Sequence, residues 1–340
     1  MNAGIYMEKH ELGSGKPCVS IGLPVFNGER YLKAALDSIL AQTFIDFELI
    51  ISDNASTDKT PQICRAYAAR DSRVSYYRNE TNLGAPRNYN RTVKLSQGKY
   101  FKWVAADDVH APEYLKKCVE VLDNDPSIVL CHSKSSRINE QGILVGTYDH
   151  KMRMGSSKIQ ERFGDLISIM TNPCWPIFGV MRKDTLVRTP LHGDYRGADA
   201  NLLVELSLYG RLYEVPEYLF LRRDHSQAYT KRFCSNQQFK SSKVLDAQIA
   251  WWSSNNWLNY TNLKNCYEFF NSVNRAPLKL SERILCYREI FKWIFREGWK
   301  LFGNDVDQYL LSRTSYGRTS IKATKNLMRH LGIHIIEKDN

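Results

Sequence analysis

From Val19 to His132 the chain alternates short apolar runs with stretches of helical periodicity. That alternation predicts βαβ units, hence a mostly parallel sheet with helices on its faces. Strands are expected at 19–23, 48–52, 74–77, 100–104 and 128–132. Between the first two, Tyr31, Leu32, Ala35, Leu36, Ile39 and Leu40 share one stripe, which predicts a helix with Asn27 as its cap. Thr60 followed by Pro61 reads as the N-cap and first turn of a second helix. A third is expected from Ala85-Pro86 to Leu95.

Beyond about Gly142 the texture changes. Residues 142–160 read as a loop or hairpin, 163–170 as a helix, 177–181 as a strand, 200–209 as a helix and 218–221 as a strand. From Gln237 onward the pattern is helical and rich in aromatic residues, so a boundary is placed near residue 235.

Composition narrows the class without deciding it. With 340 residues, 43% hydrophobic and 24% charged, the chain can bury a large core. No window approaches the roughly 18 uninterrupted apolar residues of a spanning helix, and residues 1–16 lack the apolar core of a signal peptide. A cytoplasmic location is therefore expected. The eight cysteines form no CxxC pair and stand near no histidine at zinc spacing, so they read as small buried hydrophobes. The net charge of +11 is concentrated late: residues 271–340 hold thirteen Lys and Arg against seven Asp and Glu.

The candidate chemistry sits at the ends of the predicted strands. Tyr100 to Ala106 runs straight into Asp107-Asp108. Two adjacent anions repel unless a cation sits beside them, so the pair suggests a metal site for a phosphorylated ligand, with an ordinary turn as the alternative. In a parallel sheet the carboxyl ends of the strands open into one crevice. Pro24-Val25-Phe26-Asn27-Gly28-Glu29, Asp53-Asn54-Ala55-Ser56-Thr57-Asp58 and Asn82-Leu83-Gly84 with Arg87 and Asn88 would meet Asp107 there. Asp53 could accept an N–H from a pyrimidine base, Asn27 or Glu29 could hold a ribose hydroxyl, and Arg87 suits a pyrophosphate or ribose contact.

This ordered series resembles glycosyltransferase family 2, whose members have the GT-A fold: an α/β, Rossmann-like, mostly parallel sheet flanked by helices. The resemblance covers roughly residues 18–230. It implies inverting transfer of a sugar from a nucleoside diphosphate donor to a saccharide or lipid-linked acceptor, with Mn²⁺ or Mg²⁺ on the diphosphate. By that match Pro24, Phe26, Asn27, Glu29 and Asp53 contact the nucleoside, with Asn82 and Arg87 nearby, and Asp107 takes the place of the metal-binding last acid of the DxD motif. Ala105 stands where the first acid is usual, which puts donor affinity in question. UDP is the expected base carrier, with dTDP and GDP open.

The same resemblance assigns the second half its roles. Asp199, in Arg196-Gly197-Ala198-Asp199-Ala200, matches the general base, with Ala198 replacing a usual Glu, a helix N-cap as the bland alternative and Asp194 as rival. In Leu221-Arg222-Arg223-Asp224-His225, His225 could ligate the metal and Arg222 or Arg223 could neutralise the leaving diphosphate. Trp175 is a candidate for stacking on the acceptor sugar or for the core. The expected organisation is an extension at 1–17, a catalytic domain at 18–235 divided at 132 into nucleotide-sugar and acceptor halves, and a helical, basic region at 236–340. Within 284–302, Arg288, Lys292, Arg296 and Lys300 recur every four residues beside an apolar face containing Tyr287, Phe291 and Phe295, with Trp293 and Trp299 at its flanks. That face either touches the inner surface of a membrane or packs on the catalytic domain. No nucleic-acid reader motif is present. A non-catalytic nucleotide-sugar-binding module is the rival reading, motivated by Ala105 and Ala198; a sugar nucleotidyltransferase would need a Gly-rich phosphate loop that 24–29 does not provide.

Overall fold

The computed structural model describes residues 15–149, 152–168, 174–226 and 261–298, with 302, 303 and 305. In chain order the elements begin with β1 (Val19–Val25), α1 (Leu32–Leu40), β2 (Phe47–Asp53), α2 (Thr60–Ala68), β3 (Val74–Arg78) and α3 (Ala85–Leu95). There follow β4 (Tyr100–Trp103), β5 (Val109–His110), α4 (Tyr114–Asn124), β6 (Ile128–Ile138) and β7 (Leu144–Tyr148). The second half adds α5 (Ile159–Ile167), a 3-10 turn (Trp175–Phe178), β8 (Val180–Arg182), the single turn α6 (Lys183–Leu186), α7 (Ala198–Tyr209) and β9 (Arg211–Arg223). Two helices, α8 (Thr261–Arg275) and α9 (Leu280–Trp293), come last.

All nine strands join one sheet, in the order β3-β2-β1-β4-β8-β6-β9-β5 with β7 paired to β6. The first four are parallel to one another, as their βαβ spacing requires. β8 then enters antiparallel between β4 and β6, β6 and β9 run parallel, and β5 and β7 close the far side antiparallel. The result is a mixed α/β, GT-A-like sheet whose parallel part is confined largely to its first half.

Alternation along β1 divides the core. Val19, Ile21, Leu23 and Val25 pack with α1, α2 and α4 on one face. On the other face Phe101 and Trp103 meet α5, α7, α8 and α9 in a second cluster. There α3 crosses β1 so closely that a Cβ at Gly22 would lie 2.4 Å from Thr92 Oγ1, so only glycine fits. Each large apolar side chain so buried contributes about 1.5–3 kcal/mol. Among the described residues no helix is long and apolar enough to cross a membrane.

Several local expectations change. Asn27 does not cap α1: it lies in the left-handed region (φ 51°), four residues before the cap position held by Tyr31. Lys59 rather than Thr60 precedes α2, because the Thr60 hydroxyl is committed to another loop. The run expected as a strand at 177–181 is split, since Pro176 opens the 3-10 turn and only Val180–Arg182 pairs in the sheet. The strands begun at Ile128 and ending near Leu221 are longer than expected because they pair with each other. Trp293 is core, 5.4 Å and nearly perpendicular to Phe269, not a flank anchor. Residues 237–260, Asn172-Pro173, Trp299 and Lys300 lie outside the described residues.

Candidate active site

Register alone aligns the first loops. Val25 pairs with Asp53 and Asp53 with Arg78, so β1, β2 and β3 end together. β4 pairs with β1 at Gly22–Trp103 and leads to Asp107-Asp108 beside them. β5, immediately after the acid pair, binds β9 through Val109–Leu221 and His110–Phe220. That short ladder brings Arg222 to His225 against Asp107.

The loops after β1 and β2 are laced reciprocally. The backbone N–H groups of Asn27, Gly28 and Glu29 donate to the side chains of Ser56 (2.9 Å), Thr60 (2.9 Å) and Asp58 (3.0 Å). In return Asn27 Oδ1 accepts from the Thr57 N–H (2.8 Å) and Glu29 Oε2 from the Lys59 N–H (2.8 Å). Burial pulls the Asp58 carboxyl upward, but hydrogen bonds from Thr60 and the Glu29 N–H outweigh it and hold it below the usual carboxylate range. In this arrangement Asn27 Oδ1 and Glu29 Oε2 brace the edge.

Asp53 is fully buried. Its Oδ1 accepts from the Ser56 N–H (2.9 Å), and Oδ2 accepts from the Tyr76 hydroxyl (2.7 Å) and lies 3.4 Å from Arg78 Nε. It therefore orients Tyr76 and Arg78. Asn82 organises its own turn, accepting from Asn54 Nδ2 and from the Gly84 N–H (2.9 Å). Pro24 is buried, while Phe26, just after β1, is 39% exposed. Arg87 is exposed at the mouth and reaches Asp194 at 3.5 Å, joining the two halves.

On the other side of the edge, His225 Nε2 and Asp107 Oδ2 meet at 2.8 Å. Asp108, its carboxyl raised by burial and by Asp107 beside it, accepts the Arg223 N–H (2.9 Å). Arg223, expected at the diphosphate, is buried and donates to the carbonyls of Asp107 (3.0 Å), Asn139 (3.1 Å) and Glu140 (3.2 Å), so it clamps the acid loop to β9. Arg222 pairs with Asp224 at 2.6 Å and lies over the Trp175 ring at 5.3 Å. Trp175, with Tyr148 at its edge (4.8 Å), belongs to the core, and stacking on a sugar would require Arg222 to move.

Asp199 occupies the first turn of α7, after Gly197 at φ 85°, and burial raises its carboxyl above the ordinary value. It is not the N-cap; Gly197 is. Tyr89 marks its relation to the acids: burial raises that hydroxyl, and Asp107, Asp108 and Asp199 each push it further. One phenol on α3 therefore feels both the proposed metal ligand and the proposed base. Sequence reasoning missed Tyr89, although its place four residues into a helix opened by Gly84 was a signal. It also missed Tyr31, whose ring sits 4.8 Å from His225 and under the guanidinium of Arg223 (4.9 Å), and whose buried hydroxyl has no partner.

Asp107 and His225, in direct contact, are an oxygen and a nitrogen donor of the kind a divalent ion takes. Among the described residues no third His, Cys, Asp or Glu joins them, so the remaining donors would be ligand oxygens and water. That arrangement fits an ion carried on a diphosphate.

Parallel strands opening into acid-bearing loops, followed by an antiparallel second half, define a GT-A-like glycosyltransferase fold. Residues 20–182 match the family model of glycosyl transferase family 2. An uncharacterized glycosyltransferase of Methanocaldococcus jannaschii is 36% identical over 129 residues, covering 37% of this chain and 44% of that protein. One from Rickettsia typhi is 36% identical over 118 residues, covering 34% of this chain and 36% of that protein. The chain thus spans less than half the length of these curated relatives. The crystal structure of S. aureus TarS 1–349 aligns with a TM-score of 0.58 at 17% identity, covering 86% of this chain and 77% of that one. The same TarS fragment is also known in complex with UDP-GlcNAc.

Proposed function

We propose that the chain is an inverting, metal-dependent glycosyltransferase that moves a sugar from a nucleoside diphosphate donor, a UDP-sugar, to a saccharide or lipid-linked acceptor. The observation that carries this reading is the 2.8 Å contact of Asp107 and His225, 118 positions apart in sequence, at the carboxyl end of the parallel strands. They would hold Mn²⁺ or Mg²⁺, which when bound supplies charge neutralisation to the leaving diphosphate. Asp199 takes the proton of the acceptor hydroxyl as that oxygen attacks the anomeric carbon from the side opposite the diphosphate, and its raised carboxyl makes it a better base near neutral pH. Phe26 offers its exposed ring to the base, and Arg223 with Asp108 keeps the acid loop in place. The UDP in this reading is favoured by TarS, which shares the fold and binds UDP-GlcNAc.

Helix α9 supports a place for the chain at a lipid surface. One side packs on the body through Cys286, Ile290 and Trp293, while Leu280, Ile284, Phe291 and Phe295 are 74%, 58%, 51% and 72% exposed along one stripe with Arg288, Lys292 and Arg296 beside it. Both expectations for this helix are thus represented on opposite sides of it.

The test is a thermal-shift screen of nucleoside diphosphate sugars with and without Mn²⁺, followed by release of nucleoside diphosphate. A metal-dependent shift with UDP-sugars and turnover is expected. Tight binding with neither hydrolysis nor transfer would favour the rival reading, a recruitment module, which Ala105 and Ala198 motivate.

A further inference from the structure

A cavity of about 730 Å³ lies between the loop from Pro190 to Tyr195, α7 and α8. Its volume is within the range of about 300–1,000 Å³ usual for ligand sites. Of the residues given a role above, only Asp194, the rival base, lines it, and its outer wall runs directly into Arg196-Gly197-Ala198-Asp199. We propose that this cavity, walled by Tyr195 and Tyr267 and bearing the unpartnered buried amide oxygen of Asn201, binds a neutral oligosaccharide, the part of the acceptor chain behind the sugar that is extended. The proposal rests on the transferase reading for the role of that saccharide.

Three observations select the ligand class. First, the wall charges are already paired: Arg275 with Glu205 at 2.6 Å, Lys264 with Glu268 at 2.8 Å and Asp194 with Arg87 at 3.5 Å. A phosphate or a carboxylate would find no unopposed cation, whereas an uncharged ligand leaves these pairs intact. Second, Asn201 Nδ2 donates to the Tyr195 hydroxyl and to Asn265 Oδ1, which leaves Asn201 Oδ1 and Asn265 Nδ2 buried without partners. An unmet buried polar atom costs about 1–3 kcal/mol. Of the two amides only Asn201 lines the cavity, and a sugar hydroxyl both donates and accepts, so it can meet that amide whichever way it is turned. Third, Pro190, Leu191 and Leu263 with the two tyrosine rings give an amphipathic lining, which matches the apolar C–H faces and polar rim of a sugar. Tyr267 is exposed and Lys264 lies 5.2 Å from its ring, so the entrance is aromatic and its cation is held by Glu268.

The experiment uses the full chain, fluorescently labelled, on an array of neutral and acidic oligosaccharides of one to six residues. Retention of neutral oligosaccharides of two or more residues is expected. Tyr267→Ala, which removes an exposed ring, and Leu263→Trp, which fills the entrance, should each lower retention at least tenfold, with melting curves confirming that both variants are folded. Absence of neutral glycan retention by the unmodified chain, preference for acidic glycans, or undiminished retention in both variants would overturn the proposal. A parallel thermal shift with UDP-GlcNAc and Mn²⁺ reads the donor cleft alone, so failure of the transferase reading and failure of the cavity are separately visible.

Discussion

The edge built by β1 to β3 and the edge built by β5, β6 and β9 both present polar loops to the same crevice, but different forces hold them. In the first, backbone N–H groups of one loop meet side-chain oxygens of the other in both directions, from Asn27 to Lys59. In the second, charged groups do most of the holding: Asp224 takes Arg137 and Arg222, and Arg223 carries its charge to three carbonyls, while Asp107 and His225 meet at 2.8 Å. Short-range lacing of this kind is insensitive to salt and to moderate pH. A partly desolvated ion network is sensitive to both and strongly punishes removal of one member. The first edge is thus a fixed platform, and the second is the part whose charges can respond to a bound diphosphate.

The strongest way to break the comparison is to remove a proposed chemical group from the second side without touching the platform. Asp199→Asn is expected to lower kcat by about 10²–10⁴-fold while leaving the donor-induced thermal shift unchanged. Because burial raises the Asp199 carboxyl, turnover of the unmodified chain should fall on acidification at a higher pH than for a free aspartate, as the base is protonated. A variant with full turnover would return the role to Asp194.

Next in size is the ion network itself. Asp224→Ala leaves Arg137 and Arg222 facing each other without their shared carboxylate, which is buried. A loss of about 3–5 kcal/mol is expected in urea unfolding, shrinking as salt is added. A salt-independent loss below about 1 kcal/mol would mean that the second edge is held by packing after all.

Between the halves lies Lys102 on β4, fully buried, its amine donating to the Phe178 carbonyl and sitting 4.2 Å from the Tyr114 ring. Burial pushes it down to about 7. Between that value and the ordinary lysine range of about 10.4 the unfolded chain holds a proton that the folded chain has released, so stability should rise with pH across that window, by up to about 1.4 kcal/mol per unit. Lys102→Met should remove this slope, read as the difference between the two unfolding curves from pH 6.5 to 10. Equal slopes would place the charge of Lys102 in solvent contact.

Regular alternation made the first half legible: its strand positions and their common edge follow from apolar runs, whereas the meeting of Asp107 with His225 was implied only by the family resemblance. The roles of Asn27, Glu29 and Asp53 were not legible, because a polar loop residue reads alike whether it faces a ligand or a neighbouring loop. The second half was less legible since its strands pair with partners distant in sequence, such as β6 with β9 and β4 with β8. Arg222-Arg223 illustrates the limit: two adjacent arginines on a strand point to opposite sides, one to Trp175 and one to the Asp107 carbonyl.

The smallest effect is the most discriminating for the platform. If Asn27 braces the edge, Asn27→Ala frees the Thr57 N–H, which is exposed and can turn to water, so the cost should be only about 1 kcal/mol of stability. The donor KM should then rise modestly, with kcat nearly unchanged, because Phe26 and the acid loop keep their places. If Asn27 instead holds the nucleoside directly, the melting curve should not move while donor affinity falls about tenfold or more, the loss expected for a hydrogen bond made to the ligand itself. Measuring the unfolding curve and the donor KM on one preparation separates the two, and a large affinity loss at unchanged stability would convert the platform from brace to binding surface. Left-handed Asn27 itself favours the brace: its φ of 51° is tolerable for asparagine and is fixed by the reciprocal pair with Ser56 and Thr57 on the facing loop.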